Sequence, residues 1–223
     1  MAAHSVGVIM HVDIWADVVC PWCYIGTRRF EQALASVGAD DEVTVTYHSF
    51  ELDPTMPPGV TTPTVEMLAS KYRMSPAQAD QAQRQMEERA AADGLTFRMD
   101  SLVSGNTRDA HRLLQLARAR GRQPELMERL HRAYFSEQAS IFEHSSLTRL
   151  AAEAGLDPDE AAQVLASDQY GDAVDADEEM ARSLGATGVP FFVVGRRYAF
   201  SGAQSPETIA EVLERVRADA TAS

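Results

Sequence analysis

The pattern of hydrophobic and polar positions changes twice along the chain. Near the N-terminus, residues 10–16 (MHVDIWA) and 43–50 (VTVTYHSF) form two short runs rich in apolar, β-branched and aromatic side chains, which predict strands. Between them, apolar residues recur every three or four positions, which predicts an amphipathic helix that starts near Cys20 and ends at Gly38. The first fifty residues therefore predict a βαβ unit.

Over residues 61–168 the strand signals almost vanish and helix start signals follow one another. Three sites place a side chain that can cap a helix directly before a proline: Thr62-Pro63, Ser75-Pro76 and Asp157-Pro158. No repeat of fixed period accompanies these signals, so this part of the chain is interpreted as a compact helical block and not as a solenoid.

The strand signal returns in residues 189–200 (VPFFVVGRRYAF), where two β-rich runs flank Gly195-Arg196 and predict a hairpin with a type II′ turn. A helix is expected before this hairpin and another after it. Because both ends of the chain carry strands, they must meet in one sheet. The sequence thus predicts an α/β domain in two segments with an α-helical domain inserted between them, with these bounds: residues 1–60, 61–168 and 169–223.

Composition and charge exclude several classes of protein. The 223 residues suffice for a hydrophobic core without a disulfide, and no apolar run approaches the length of a membrane span. A net charge of −13 argues against binding to nucleic acids or anionic lipids. The opening MAAHSVGVIM lacks the features of a secretory signal, so we expect a cytoplasmic protein.

The two cysteines of the chain lie three positions apart in the stretch DVVCPWCYIG. At the start of a helix, Cys20 faces free backbone N–H groups and the positive end of the helix dipole, which favour a thiolate. In C-x-x-C motifs the thiol pKa falls from about 8.5 to between roughly 3.5 and 7.5. Cys23, one turn further, is suited to resolving a mixed disulfide. Pro21 fits the first helical turn, and Trp22 offers an apolar surface beside the nucleophile.

Other interpretations of the cysteine pair are weaker. A structural disulfide would close only a very short loop and would be opposed by a reducing cytoplasm. A zinc site would need two more ligands, yet the histidines form no paired motif at His48, His111, His131 and His144. Two inert buried cysteines would not need this spacing at a helix start. We therefore expect no metal and no cofactor beyond a redox-active Cys20–Cys23 disulfide.

The C-P-W-C motif, the helical insertion and the late G-V-P-F-F-V stretch resemble the DsbA-like thioredoxin-fold oxidoreductases, and most closely their bacterial FrnE-like branch. The resemblance covers nearly the whole chain and implies a thioredoxin-like fold with an inserted α-helical domain. It also implies that Cys20 attacks, that Cys23 resolves, and that Pro190 is a cis-proline packed against the pair. The backbone of Val189 would then pair with bound substrate.

Residues 105–113 (GNTRDAHRL) also resemble a stretch shared with kappa-class glutathione transferases and chromene-carboxylate isomerases. For Asn106 and His111 we favour helix capping and satisfied polar packing, with the alternative that they line a cleft between domains. By the same resemblance, Ser201 and Gly202 lie where kappa-like relatives contact glutathione.

These observations support a thiol–disulfide oxidoreductase acting on protein thiols and disulfides or on glutathione-like small thiols, with a homodimer left open. One alternative is a glutathione-dependent isomerase or transferase, although such relatives usually carry serine in place of Cys20. Another is a redox-responsive, chaperone-like binding protein. Strongly oxidising relatives carry histidine where this chain has Trp22, so we expect a more reducing potential than theirs.

Overall fold

The computed structural model describes residues 10–39 and 42–221, and the opening segment considered above as a leader lies outside these residues. Within them the chain forms six strands and nine helices. Their order is β1 Met10–Ala16, α1 Pro21–Val37, β2 Val43–Ser49, β3 Thr61–Pro63, α2 Thr64–Tyr72, α3 Pro76–Ala92, β4 Val103–Gly105, α4 Arg108–Ala119, α5 Gln123–Phe135, α6 His144–Glu153, α7 Pro158–Leu165, α8 Gly171–Ser183, β5 Phe191–Val194, β6 Tyr198–Ser201 and α9 Pro206–Thr221.

One four-stranded sheet joins the two ends of the chain, in the order β2-β1-β5-β6. Strands β1 and β2 are parallel, whereas β5 pairs antiparallel with β1, placing Ile14 opposite Phe192. Both residues are fully buried, because helices cover the sheet. Helix α1 packs beside α9, and α8 packs against β2. The α/β fold, thioredoxin-like with a helical insertion, is therefore confirmed.

The local signals around the first helix are also confirmed. Helix α1 starts directly after Cys20 and ends at Gly38, whose φ of 61° lies in the left-handed region that glycine tolerates. The amide of Gly38 donates to the carbonyl of Ala35 at 3.3 Å and closes the last turn. These features place the cysteine motif at the carboxyl edge of β1, where the loops that carry chemistry in such sheets are found.

The prediction of a purely helical block is wrong at two points. Strands β3 and β4 pair antiparallel, with Thr62 opposite Ser104. Thr62 therefore lies in a strand and does not cap α2, which begins at Thr64 after Pro63. Strands of three residues are too short to show alternation, and their pairing depends on segments about forty positions apart. The caps at Ser75 and Asp157, in contrast, are confirmed by their bonds to backbone amides.

The hairpin between β5 and β6 differs from its predicted turn type. Gly195 and Arg196 have φ values of 60° and 58°, so both central residues are left-handed, as in a type I′ turn, whereas type II′ requires this only of the first. A Cβ at position 195 would lie 2.7 Å from Cγ1 of Val216 on α9, so glycine there also permits close packing of that helix.

The insertion shares its core with the α/β part. Tyr24 of α1 stacks on Phe97 with ring centroids 5.7 Å apart, and Phe97 stacks on Phe135 at 4.6 Å. On the same side, Arg29 of α1 makes a two-bonded ion pair with Asp93, both bonds being 2.9 Å long. These contacts hold α1 against the segment that follows α3 and so set the width of the space beside the cysteines. In the described part of the chain, no helix is long and apolar enough to cross a membrane.

Candidate active site

The cysteine motif lies at the first turn of α1. Cys20 is the N-cap residue, with the extended backbone angles φ −88° and ψ 112°, and Pro21 occupies the first helical position. The Cys20 amide donates to the carbonyl of Asp17 at 3.1 Å, while its carbonyl accepts from Tyr24 at 3.3 Å. No acidic side chain occupies this first turn. The Cys20 side chain therefore lies at the positive end of the helix dipole, and it makes no capping hydrogen bond to the amides of that turn.

The two sulfurs differ in their surroundings. Both cysteines are free thiols and both are buried, but Cys20 keeps 3% of its surface exposed and lines a cavity, whereas Cys23 is 0% exposed. Burial raises the pKa of the Cys23 thiol well above its usual value, and the adjacent Cys20 thiol and the charge of Asp17 add to that rise. Cys23 therefore stays protonated until a neighbouring group removes its proton.

The turn before β5 faces the thiols. The Val189–Pro190 peptide bond is cis, and the carbonyl oxygen of Val189 lies 3.8 Å from Sγ of Cys20. Pro190 is buried, and its carbonyl accepts from the amide of Gly202 at 2.8 Å. A Cβ on Gly26 of α1 would come within 2.9 Å of the Pro190 ring, so glycine at position 26 permits the close approach of this turn. The structure thus places the Val189 carbonyl beside Cys20 and the Pro190 ring against α1. The roles that the resemblance gives these two residues stay predictions.

Beside Cys20 is a cavity of about 410 Å³, within the range of about 300–1,000 Å³ usual for ligand sites. One wall comes from the start of α1 and the turn before β5, and the opposite wall from α2, α3 and the segment leading to β4. The lining is mainly apolar and includes four methionines, which are Met56, Met67, Met86 and Met99. Sequence analysis missed these residues, since Met67 and Met86 have the helical spacing of ordinary core positions, and Met56 and Met99 lie in connecting segments without a pattern.

The rim next to the thiols carries a cation that comes from the insertion. The guanidinium of Arg89 on α3 lies over the Trp22 ring, 5.5 Å from its centroid, a cation–π arrangement. Trp22 has no charge of its own, so this pairing supplies a positive group beside the motif that the sequence around Cys20 does not contain.

A buried polar group lies under the motif and centres on Asp17. Its side chain is fully buried, accepts from the amide of Leu52 at 2.8 Å and lies 3.2 Å from Nε2 of His111. Burial opposes a charge on His111, but the Asp17 carboxylate outweighs it and raises the pKa of that imidazole. For His131, whose Nε2 is 3.4 Å from the Asp17 carbonyl, burial dominates and lowers the pKa to about 4. Asp17 therefore favours the charged form of His111, whereas His131 beside it is a neutral imidazole.

The four remaining candidates do not line this cavity. Asn106 donates to the carbonyl of Met56 and accepts from the amide of Arg108, both at 3.0 Å, so it organises the start of α4. His111 lies behind Asp17, while Ser201 and Gly202 lie at the end of β6, on the far side of the Pro190 turn. Local bonds occupy Asn106 and burial encloses His111, whereas Ser201 is exposed, and a place for these four residues in a cleft stays a prediction.

Among residues 10–39 and 42–221, no group of three or more His, Cys, Asp or Glu side chains is arranged to hold a metal ion. The chemistry available beside Cys20 in these residues is therefore that of the two thiols, the Asp17–His111 pair and the apolar cavity.

A C-x-x-C dithiol at the start of the first helix, facing an X-Pro turn on a four-stranded mixed sheet, defines a thioredoxin-fold dithiol protein. The family model for the DSBA-like thioredoxin domain matches residues 11–214. The chain belongs to this DsbA-like family.

Relatives agree with this assignment. The structure is similar to that of a probable DsbA oxidoreductase from Streptomyces coelicolor, with 45% identity, a TM-score of 0.89 and coverage of 93% of this chain and 89% of that one. The Bacillus subtilis protein YwbO is 26% identical over 83% of this chain and 87% of its own length. The cytosolic disulfide reductase DsbM of Pseudomonas aeruginosa, solved with GSH, shares the fold at 20% identity and a TM-score of 0.60, covering 95% and 98% of the two chains.

Proposed function

We propose that the protein is a thiol–disulfide oxidoreductase whose reacting groups are Cys20 and Cys23 of the C-P-W-C motif. The observation that carries this proposal is the unequal placement of the two thiols, with Cys20 at the helix N-cap on the cavity and Cys23 buried one turn behind it. In this arrangement the sulfur of Cys20 can react with a substrate, and the sulfur of Cys23 can then resolve the mixed disulfide.

In the reductive direction, the Cys20 thiolate attacks a substrate disulfide, forms a mixed disulfide and releases one substrate thiolate. Cys23 then loses its proton and attacks the Cys20 sulfur, which forms the Cys20–Cys23 disulfide and releases the second substrate thiolate. Two electrons pass from the enzyme to the substrate, and the reverse sequence oxidises a substrate dithiol. Because the pKa of Cys23 is raised by burial, the second step is the one that needs help in removing a proton.

Within this proposal the substrates are protein thiols and disulfides or small thiols such as glutathione, and the Val189 backbone pairs with the bound chain. The carbonyl oxygen of Val189, 3.8 Å from Sγ of Cys20, supports that role. Membership of the FrnE-like branch, the cytoplasmic location, the domain bounds and a homodimer stay predictions.

The proposal is tested by reduction of insulin disulfides, followed as turbidity, with single-cysteine variants. Cys20→Ser should lose at least about a thousandfold in rate, because no other thiolate faces the cavity. Cys23→Ser should instead accumulate a mixed disulfide on Cys20, visible by mass spectrometry. Full reductase activity in Cys20→Ser would contradict the proposal, and glutathione turnover with an aromatic electrophile in the double variant would favour the transferase alternative.

A further inference from the structure

Among the described residues, no carboxylate pairs with the guanidinium of Arg89, which lies in the last turn of α3. Arg84 on the same helix differs, because it forms an ion pair with Asp80. Four positions after Arg89, both carboxylate oxygens of Asp93 accept from Arg29 at 2.9 Å. Asp93 is thus engaged elsewhere, and the charge of Arg89 is free to act on another group.

A helix–helix contact holds this charge over the cysteine motif. The guanidinium of Arg89 lies 5.5 Å from the centroid of the Trp22 ring. Trp22 and Arg29 are about two turns apart on α1, and Arg89 is about one turn before Asp93, the C-cap of α3. The cation–π contact and the Arg29–Asp93 ion pair therefore belong to one interface, and the ion pair fixes the end of α3 so that Arg89 stays over the ring.

The charged side chains at the cavity balance one another in number. Asp17, Asp53 and Lys71 line it, and His111 lies behind Asp17. With His111 in the charged form that Asp17 favours, two cations accompany two carboxylates. Arg89 adds a positive charge that none of these groups offsets.

Other titratable groups near the motif do not change this balance. Burial raises the pKa of the Cys23 thiol well above its usual value and lowers the pKa of His131 to about 4, so both are neutral. Glu87 of α3 accepts from the amide of Met99 at 2.6 Å and does not line the cavity. The first turn of α1 holds no acidic side chain. The sign of the net charge at the motif therefore depends on Arg89.

We propose that Arg89 is a positioning residue of the thiol–disulfide exchange: held over Trp22, its guanidinium places a positive charge near Cys20 and stabilises the thiolate that begins the reaction. Arginine suits this position because it is always charged and stacks on aromatic faces. The inference rests on the proposed function and adds to it a residue of the helical insertion that controls the reactivity of the first thiol.

The test follows alkylation of Cys20 by iodoacetamide in full-length Cys23→Ser protein. The Cys20 thiolate bonds to the methylene carbon of the reagent and iodide leaves with the electron pair of the C–I bond, so loss of free thiol gives the rate constant. On the rising part of the pH profile, Arg89→Gln should react about threefold more slowly, because the thiolate is less favoured. The half-maximum should move to higher pH, while the plateau, where the thiolate is complete, should keep its rate.

Two variants and the salt concentration separate charge from structure. Arg89→Lys keeps the charge and should recover most of the rate, whereas Arg84→Gln removes a paired charge from the same helix and should leave the profile unchanged. The difference caused by Arg89→Gln should shrink between about 0.1 M and about 1 M salt, because the screening length falls from about 10 Å to about 3 Å.

The reduction potential of the protein with both cysteines gives a second readout. Without the charge of Arg89 the reduced dithiol is less stable, so equilibration with glutathione should favour the Cys20–Cys23 disulfide about threefold more in Arg89→Gln. At about 30 mV for each tenfold change, the potential becomes more reducing by about 14 mV.

An unchanged pH profile and potential in Arg89→Gln would overturn the inference. A lower free energy of unfolding with an unchanged profile would overturn it as well, and would limit Arg89 to stabilising the last turn of α3. The proposed function survives both results as long as the wild type reduces insulin through Cys20. Failure of the wild type in that assay would instead overturn the proposed function itself.

Discussion

Two buried histidines in this molecule lie in opposite kinds of surroundings. His48 on β2 is bonded at both nitrogens, with Nδ1 2.6 Å from Asp177 and Nε2 2.8 Å from Asp13, and Trp15 stacks on its ring at 4.3 Å. Asp177 in turn accepts from the amide of Ser49. This cluster ties β1, β2 and α8 together, and each of its ring nitrogens has a partner.

Under the cysteine motif, two buried histidines each have one ring nitrogen without a hydrogen-bond partner. His111 is fully buried, but only its Nε2 has a partner, the carboxylate of Asp17, and its Nδ1 has none. Nδ1 of His131, beside it, is also buried without a hydrogen bond. A network in which every polar atom is bonded makes a fold rigid. Ring nitrogens without a partner, such as Nδ1 of His111 and of His131, leave room for the protonation of the imidazole to change. The difference separates a structural cluster from one suited to chemistry.

The largest effect is expected from a substitution in the cluster of His48, Asp13 and Asp177, here called the closed cluster because both ring nitrogens of His48 are bonded. His48→Gln removes the imidazole between the buried Asp177 and the half-buried Asp13, which keeps only His11 as a partner, so the free energy of unfolding should fall by about 3 kcal/mol. The rate of thiol–disulfide exchange at Cys20 per folded molecule should not change, because His48 does not line the cavity. Urea denaturation measures the free energy of unfolding. The second quantity is the rate of thiol–disulfide exchange at Cys20 divided by the concentration of folded protein. Lost exchange with unchanged stability would reverse the roles assigned to the two clusters.

The same variant has a defined pH dependence. Burial opposes charge on His48, but Asp13 and Asp177 outweigh it and raise its pKa, so its contribution is complete below about pH 6.5 and is lost as pH rises through the raised value. Burial likewise opposes charge on the two carboxylates, but His48 outweighs it and lowers their pKa values, so their contribution holds above about pH 4 and is lost on further acidification. The stability difference between wild type and His48→Gln should therefore be greatest between about pH 4 and 6.5.

A second substitution tests the cluster of Asp17, His111 and His131 under the cysteine motif, here called the open cluster. Asp17→Asn keeps an acceptor for the Leu52 amide but removes the negative charge that helps to raise the pKa of Cys23. The rate at which Cys23 releases a peptide from Cys20 should then reach its half-maximum at a lower pH than in the wild type. Asp13→Asn, the matched change in the closed cluster, should not move this midpoint. Identical pH profiles for all three proteins would show that Asp17 does not act on the thiol.

The smallest effect is expected at the motif itself. Trp22→His introduces a group that can carry positive charge near Cys20, which should stabilise the reduced dithiol and make the potential more oxidising by about 30 mV. Equilibration with glutathione measures it, and Trp22→Phe serves as the uncharged control, since both variants alter the contact with Arg89. A wild-type reduction potential of about −120 mV would contradict the expectation that this protein is more reducing than its strongly oxidising relatives.

Sequence reasoning was reliable wherever neighbouring residues decide the outcome. The helix that starts after Cys20 and ends at Gly38, and the cap at Ser75, depend on backbone groups within a few positions, so their signals are local. It failed for β3 and β4 and for the turn at Gly195, where distant pairing and the approach of α9 decide the conformation.

Local signals predicted the class of fold, the position of the dithiol at a helix start and the types of residue available for exchange, because periodicity, capping and spacing depend on adjacent residues. The folded structure was needed to show that Arg89 lies over Trp22, that Asp17 lies beside His111, and that Met67, Met86 and Gln83 of the insertion line the cavity beside Cys20. These groups are separated by tens of residues, and only the shared packing of insertion and sheet brings them together.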